Sequence, residues 1–165
     1  MTDNVLRKST KQEVSKNFKS EVKNLLNTLR ANADGENIVV GTKENPIVTD
    51  SELIPIKHYF MDGVYIREMT MYKGSAVVGA IHKHLHMCFL LTGHLTVSSE
   101  EGVVEHIAPC HIVATSGVQR VLYANEDSVW YNTHKNPTNT KNIEELEKQI
   151  VVVDQKEYEE YIKNK

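Results

Sequence analysis

Between positions 58 and 133 the chain is a series of short apolar, β-branched runs cut at regular intervals by turn formers, and this punctuation constrains the fold more than any single residue. The runs cover positions 58–60, 64–71, 76–81, 84–97, 103–107, 110–114, 119–124 and 128–133. Between them lie Asp62-Gly63, Lys73-Gly74-Ser75, Glu100-Glu101-Gly102, Ser116-Gly117 and Asn125-Glu126-Asp127. Few of the runs are long enough for a stable helix, and strands recurring at about 8–12 residues indicate an antiparallel sandwich or barrel.

Within that pattern, positions 81–93 read IHKHLHMCFLLTG and hold three of the eight histidines at alternating positions. Successive side chains of an extended strand point to opposite faces, so His82, His84, His86 and Cys88 are expected on one face. A divalent ion must be met by neutral imidazoles or carboxylates at about 2.0–2.2 Å, and residues spaced by two along a strand deliver them from one side. The alternative is a solvated polar edge, or histidines hydrogen-bonded inside a barrel.

The segments HYFMDGVYIREMT, IHKHLHMCFLLTGHLTV and IAPCHIVATSGVQRVLYANEDSVWYNTH resemble the cupin superfamily, and within it the small cupin-like proteins encoded by tailed bacteriophages. The resemblance implies a mainly β fold, a double-stranded β-helix or jelly-roll barrel. The general cupin pattern places two histidines and a glutamate ahead of a glycine. Counted back from Gly93, the glutamate position falls on His86, the second histidine on His82 and the first on Ala80, so the carboxylate is missing. In the second motif the turn glycine is Gly117, and Arg120 stands where the family has its last metal histidine. Arginine stays protonated and cannot ligate a metal. The resemblance therefore implies a first-row divalent ion (Zn, Fe, Mn or Ni) held by His82, His84, His86 and His134, with His111 as a further candidate. His134 is included because a histidine also closes this strand in the phage proteins.

Other side chains with a route into such a barrel are Glu68, Arg120, Tyr123 and Trp130. Glu68 would supply the missing carboxylate if its strand lay beside the histidines; otherwise it would pair with Arg67 or Arg120. A buried guanidinium facing a histidine cluster needs an anion between them, which points to a carboxylate or phosphate ligand. Tyr123 and Trp130 read as core aromatics or as stacking surfaces for a ligand. His58, His94 and His106 fall at turns or strand ends, outside the expected site.

Two readings of function follow. One is an accessory phage protein that binds a small anionic metabolite or nucleotide signal, with a metal. The other is a metal-dependent cupin enzyme of oxygenase, isomerase or lyase type acting on a small carboxylate or phosphate. Fold alone does not choose between them.

With 165 residues the chain has room for one core domain. The net charge of −3 carries no basic footprint, so nucleic acid is not an expected partner. Two cysteines and a polar start, MTDNVLRKSTKQ, suit the reducing cytoplasm, which the resemblance makes that of a phage-infected bacterial cell. No apolar run approaches the roughly 20 residues of a membrane span.

The chain divides into residues 1–57, an amphipathic helix and connector; 58–135, the barrel; and 136–165, a tail. Val14, Phe18, Val22, Leu25, Leu26 and Leu29 recur at helical spacing from Thr10 to Asn32, Thr10 and Glu13 form a capping box, and Asp34-Gly35 ends the helix. Basic residues outnumber acidic ones there, as the solvated face of a helix packed on the barrel or on a second subunit. Pro46 and Pro55 break the connector, leaving one edge strand around Ile47-Val48. In the tail, positions 141–149 read as a helix with Ile143 and Leu146 inward, 150–153 as a strand that needs a partner edge, and 155–163 as a helix. Tail and helix together suggest a homodimer or higher homo-oligomer.

Overall fold

The computed structural model describes residues 11–42, 45–48 and 51–165, and the side chains of residues 11 and 12 are excluded. Among the described residues eleven strands and three helices follow one another as α1 (Lys11–Ala31), β1 (Ile56–Met61), β2 (Val64–Met71), β3 (Ala76–Val78), β4 (Ile81–His82), β5 (His86–Thr92), β6 (His94–Ser99), β7 (Gly102–Ile107), β8 (Cys110–Ala114), β9 (Arg120–Ala124), β10 (Ser128–Lys135), α2 (Ile143–Ile150), β11 (Val151–Val152) and α3 (Gln155–Lys163).

The strands form a five-stranded sheet ordered β1-β2-β10-β5-β8, a four-stranded sheet ordered β3-β9-β6-β7 and a two-stranded sheet ordered β11-β4. Every pairing is antiparallel. The two larger sheets face each other across a core of Met69, Met71, Cys88, Leu90, Leu95, Val97, Leu122, Ala124 and Trp130. Leu90, Leu95 and Met71 are fully buried, each worth roughly 1.5–3 kcal/mol against the exposed side chain. This is the double-sheet jelly roll expected from the punctuation.

Two expected strands break. The run 84–97 divides at Gly93, which turns the chain between β5 and β6 with φ +87 and abuts Ser128 so closely that a Cβ would collide with it. The histidine run is not one strand either: β4 ends at His82, residues 83–85 bend, and β5 begins at His86. The strand expected around Ile47-Val48 does not form, and those residues lie in irregular chain at the cavity wall.

Helix α1 ends at Ala31, ahead of Asp34, whose carboxylate accepts the backbone N–H groups of Glu36, Asn37 and Ile38. Thr10, the expected cap, lies outside the described residues. The helix buries Val22, and Ser15 Oγ donates to Glu100 at 2.5 Å while Lys19 lies 3.4 Å from the same carboxylate, on the β6–β7 turn. Of the expected apolar stripe only Val22 is buried, while Val14 and Leu25 are each 38% exposed.

The tail also packs on its own barrel. α2 is capped by Asn142, whose side chain accepts from Glu145 N, and it buries Leu146, Glu147 and Ile150. β11 is shorter than the 150–153 run, and it finds its partner in β4, with Val151 opposite His82 and Val152 opposite Ile81. Tyr65, Leu146, Ile150 and Val151 form a second apolar cluster beneath it. α3 carries Tyr158 against Gly117.

Candidate metal centre

Three histidines converge from three strands. His82 ends β4, where pairing with the tail's Val151 fixes it; His86 starts β5, opposite Ala114 of β8; and His134 lies near the end of β10, opposite Tyr65 of β2. One potential ligand atom from each lies within 4.8 Å of the others, the one such group of three or more among the described residues. Their ring centroids are 4.1 Å (His82 to His86), 4.6 Å (His86 to His134) and 5.2 Å (His82 to His134) apart.

The strand parities explain this convergence. β10 turns Trp130, Asn132 and His134 inward, and β5 turns His86, Cys88 and Leu90 inward. His84, in the bend, does not join the group. Its Nε2 sits 3.4 Å from His134 Nδ1, and its carbonyl oxygen faces His86 Nδ1 at 3.3 Å. An Nδ1–H donated to that carbonyl holds the His86 tautomer that leaves Nε2 for an ion.

The donor set suits a divalent first-row ion. Burial, chiefly, drives His134 down to about 2 and His86 to about 4 from an ordinary 6.5, and it holds His82 well below that value. Each ring is therefore neutral at pH 7, the form that ligates. Three imidazoles are one ligand fewer than the four of a closed structural zinc site. Among the described residues no carboxylate joins them, so these three ligands would leave the charge of such an ion uncompensated.

Around the histidines lies a second layer that sequence reasoning missed. Tyr65, 1% exposed, stacks on His134 with centroids 6.1 Å apart, and its hydroxyl meets His58 Nδ1 at 2.8 Å and accepts from Arg67 Nε at 3.3 Å. His58 thus belongs to the layer behind the site rather than to a turn. Arg67 forms an ion pair with Glu147 of α2. Asn132 Oδ1 accepts from Trp130 Nε1 at 3.1 Å and from Cys88 Sγ at 3.2 Å. Burial raises the Cys88 thiol to about 12, so it stays protonated.

His82, His86, Arg67, Arg120, Cys88, Asn132 and Trp130 all border one cavity of about 970 Å³, which extends past Met69, Val118 and Leu122 to Leu26 and Leu29 of α1. Arg120 points into it, close enough to depress the basicity of His82 and His86. Among the described residues Arg120 has no carboxylate partner. Glu68, considered for it above, and Asp127 are engaged elsewhere. Glu68 accepts from Tyr131 at 2.6 Å, Tyr59 at 2.8 Å and Lys57 at 3.0 Å, and Asp127 accepts from Lys73 N at 2.8 Å.

Three expected site residues lie elsewhere. Glu68 is on the outer face of β2, because the alternation that turns Tyr65, Arg67, Met69 and Met71 inward turns it out; it cannot supply the missing carboxylate. Tyr123 is on the outer face of β9 and 46% exposed. His111 is likewise exposed on β8. Trp130 is inward, 3% exposed, and forms part of both core and cavity wall. Among the described residues no helix is long and apolar enough to cross a membrane.

No protein-family model matches the sequence, and no curated protein does. Among solved structures the chain is similar to a salicylate 1,2-dioxygenase from Pseudaminobacter salicylatoxidans, with 12% identity, a TM-score of 0.50, and 81% of this chain matched to 36% of that one. It is also similar to a cupin superfamily protein from Desulfitobacterium hafniense DCB-2, with 10% identity, a TM-score of 0.46, and 59% of this chain matched to 95% of that one. A third likeness is to KdgF from Halomonas sp., with 14% identity, a TM-score of 0.45, and 58% of this chain matched to 92% of that one. At such identities the likeness to the dioxygenase is one of fold alone.

Proposed function

We propose that this protein binds a first-row divalent ion through His82, His86 and His134 and holds a small anionic molecule in the adjoining cavity, against Arg120. One observation carries the reading: among the described residues no carboxylate joins the three clustered imidazoles, and two of them, His82 and His86, border the same cavity as Arg120, which has no carboxylate partner there. Ion and guanidinium would both be left uncompensated in a low-dielectric site, and a bound anion balances them. The resemblance to phage-encoded cupin-like proteins supports an accessory role in an infected bacterial cell.

When bound, the ion would supply Lewis-acid polarisation of a ligand oxygen. The chain's own residues do the rest. His84 and Tyr65 hold the liganding rings, Asn132 and Trp130 fix the floor, and Arg120 receives the anion's oxygens. A three-ligand set, fewer than the four of a closed structural site, favours turnover as a second reading, and a salicylate 1,2-dioxygenase is among the proteins of similar fold.

The test is thermal unfolding of protein loaded with Zn, Fe, Mn or Ni, with and without a panel of carboxylates and phosphates. A ligand present at 100 times its Kd should stabilise by about 2.7 kcal/mol. Arg120→Met should remove that shift while metal content is retained. A panel without effect, together with a loss of stability in the ligand-free Arg120→Met protein, would make Arg120 structural.

A further inference from the structure

The character of the cavity wall narrows the ligand class, an inference that rests on the anion-binding reading above. Of the charged residues bordering the cavity, Arg67 is paired with Glu147, and Arg30 and Glu52 are exposed at the periphery with opposite signs. Arg120 is the remaining cation. A single guanidinium offers a planar fork whose two parallel donors match the two oxygens of a carboxylate. A phosphate has a third oxygen to satisfy.

The polar side chains beside Arg120 are partly committed, with Gln119 Oε1 and Asn132 Nδ2 left over. Gln119 Nε2 donates to Gly79 O at 3.0 Å, and Asn132 Oδ1 takes the donors of Trp130 and Cys88. Away from the histidines the buried part of the wall is apolar: Met69, Leu122, Trp130 and Val118 are each at most 8% exposed and all border the cavity, with Val77 and Ile54 beside them, while Asn37, Thr42, Ser51, Tyr72 and Ser75 line its less buried parts. A ribose, a base edge or a sugar would bring hydroxyls and amides against that wall without partners, at about 1–3 kcal/mol for each buried group left unsatisfied.

We infer that the ligand is a carboxylate with an apolar body, its head between Arg120 and the three-histidine centre and its body along Met69, Leu122 and Trp130. Nucleotides and sugar phosphates fit the chemistry of this wall poorly. The volume of about 970 Å³ leaves room for a body of many carbon atoms.

The experiment is calorimetric titration of the zinc-loaded, untagged full chain with acetate, butanoate, hexanoate and octanoate, with phenylacetate, and with glucose 6-phosphate and AMP. Metal content is measured on the same samples. Affinity should rise by roughly four-fold for each methylene added to the linear acids, the phosphates should give no heat of binding, and Arg120→Met should weaken the acids at least ten-fold. Met69→Gln, which keeps length but adds an amide to the wall, should flatten the chain-length trend and leave acetate unchanged. Arg120-dependent binding of AMP or glucose 6-phosphate without binding of the longer acids would overturn the ligand class and leave the anion site standing. Acids that bind with no dependence on chain length would overturn the apolar body alone. Failure of every compound to bind protein that retains its zinc would overturn the anion site, and this inference with it.

Discussion

The two faces of the five-stranded sheet solve opposite problems with neighbouring residues. Arg67 and Glu68 adjoin in sequence, yet the alternation of β2 sends one into the barrel and the other to the outer surface. On the inner face burial works against charge. His86 and His134 are kept neutral, and Arg67 is matched by a carboxylate brought from α2. On the outer face Glu68 is 7% exposed but keeps its charge, because Tyr131, Tyr59 and Lys57 all donate to it. The Tyr131 hydrogen bond, first among several causes, lowers its pKa. A buried polar group is tolerable when its partners are supplied. The inner face leaves its imidazoles with ligand capacity unspent, and that is the mark of a site.

The sharpest contrast between the faces is in metal retention. His86→Ala should abolish binding of a first-row divalent ion, whereas Glu68→Gln should leave it unchanged, as read by elemental analysis. His84→Ala, which removes a partner of His134 rather than a ligand, should weaken the metal by about 10–100-fold, the range for groups that orient ligands.

Stability gives the next contrast. Trp130→Ala empties a site in the core and should cost about 3–5 kcal/mol by denaturant unfolding. Glu68→Gln should cost about 1.5–3 kcal/mol, the range for a hydrogen bond to a charged group. Tyr123→Ala, on the exposed face of β9, should stay within about 0.5 kcal/mol.

Acid should separate the faces as well. The unfolded chain binds protons at the ordinary histidine value of 6.5, while folded His86 resists them to about 4. The unfolded state therefore holds more protons through that window, so stability of the metal-free protein falls as pH drops below 6.5. The slope should be on the order of 1.4 kcal/mol per pH unit for each histidine that must stay neutral. Above 6.5 this contribution is fully present. His86→Gln should shallow the slope in unfolding experiments between pH 4 and 6.5, and Glu68→Gln should not.

Much of this was readable in the strand pattern. In β2, Tyr65, Met69 and Met71 share a parity that already turns Glu68 outward, and in β9 Leu122 and Ala124 turn Tyr123 outward and Arg120 inward. The same rule applied to β10 selects Asn132 along with Trp130 and His134. Two features were not legible because they depend on contacts distant in sequence. The bend at residues 83–85 lets His82 and His86 meet from separate strands, and it is held in part by Lys83 N donating to Ile150 O at 2.8 Å. The tail's Glu147 reaches Arg67 only once α2 has docked on Tyr65 and its neighbours. Both make residues 136–165 part of the site's construction rather than an appendage.

The most direct measurement is the metal-to-protein ratio of the untagged full chain after exposure to first-row divalent ions and gel filtration, compared with the variant His82→Ala, His86→Ala, His134→Ala. The account predicts close to one equivalent retained by the natural chain and none by the variant, with near-identical circular dichroism for the two. Equal retention by both, or none by the natural chain at neutral pH, would contradict it.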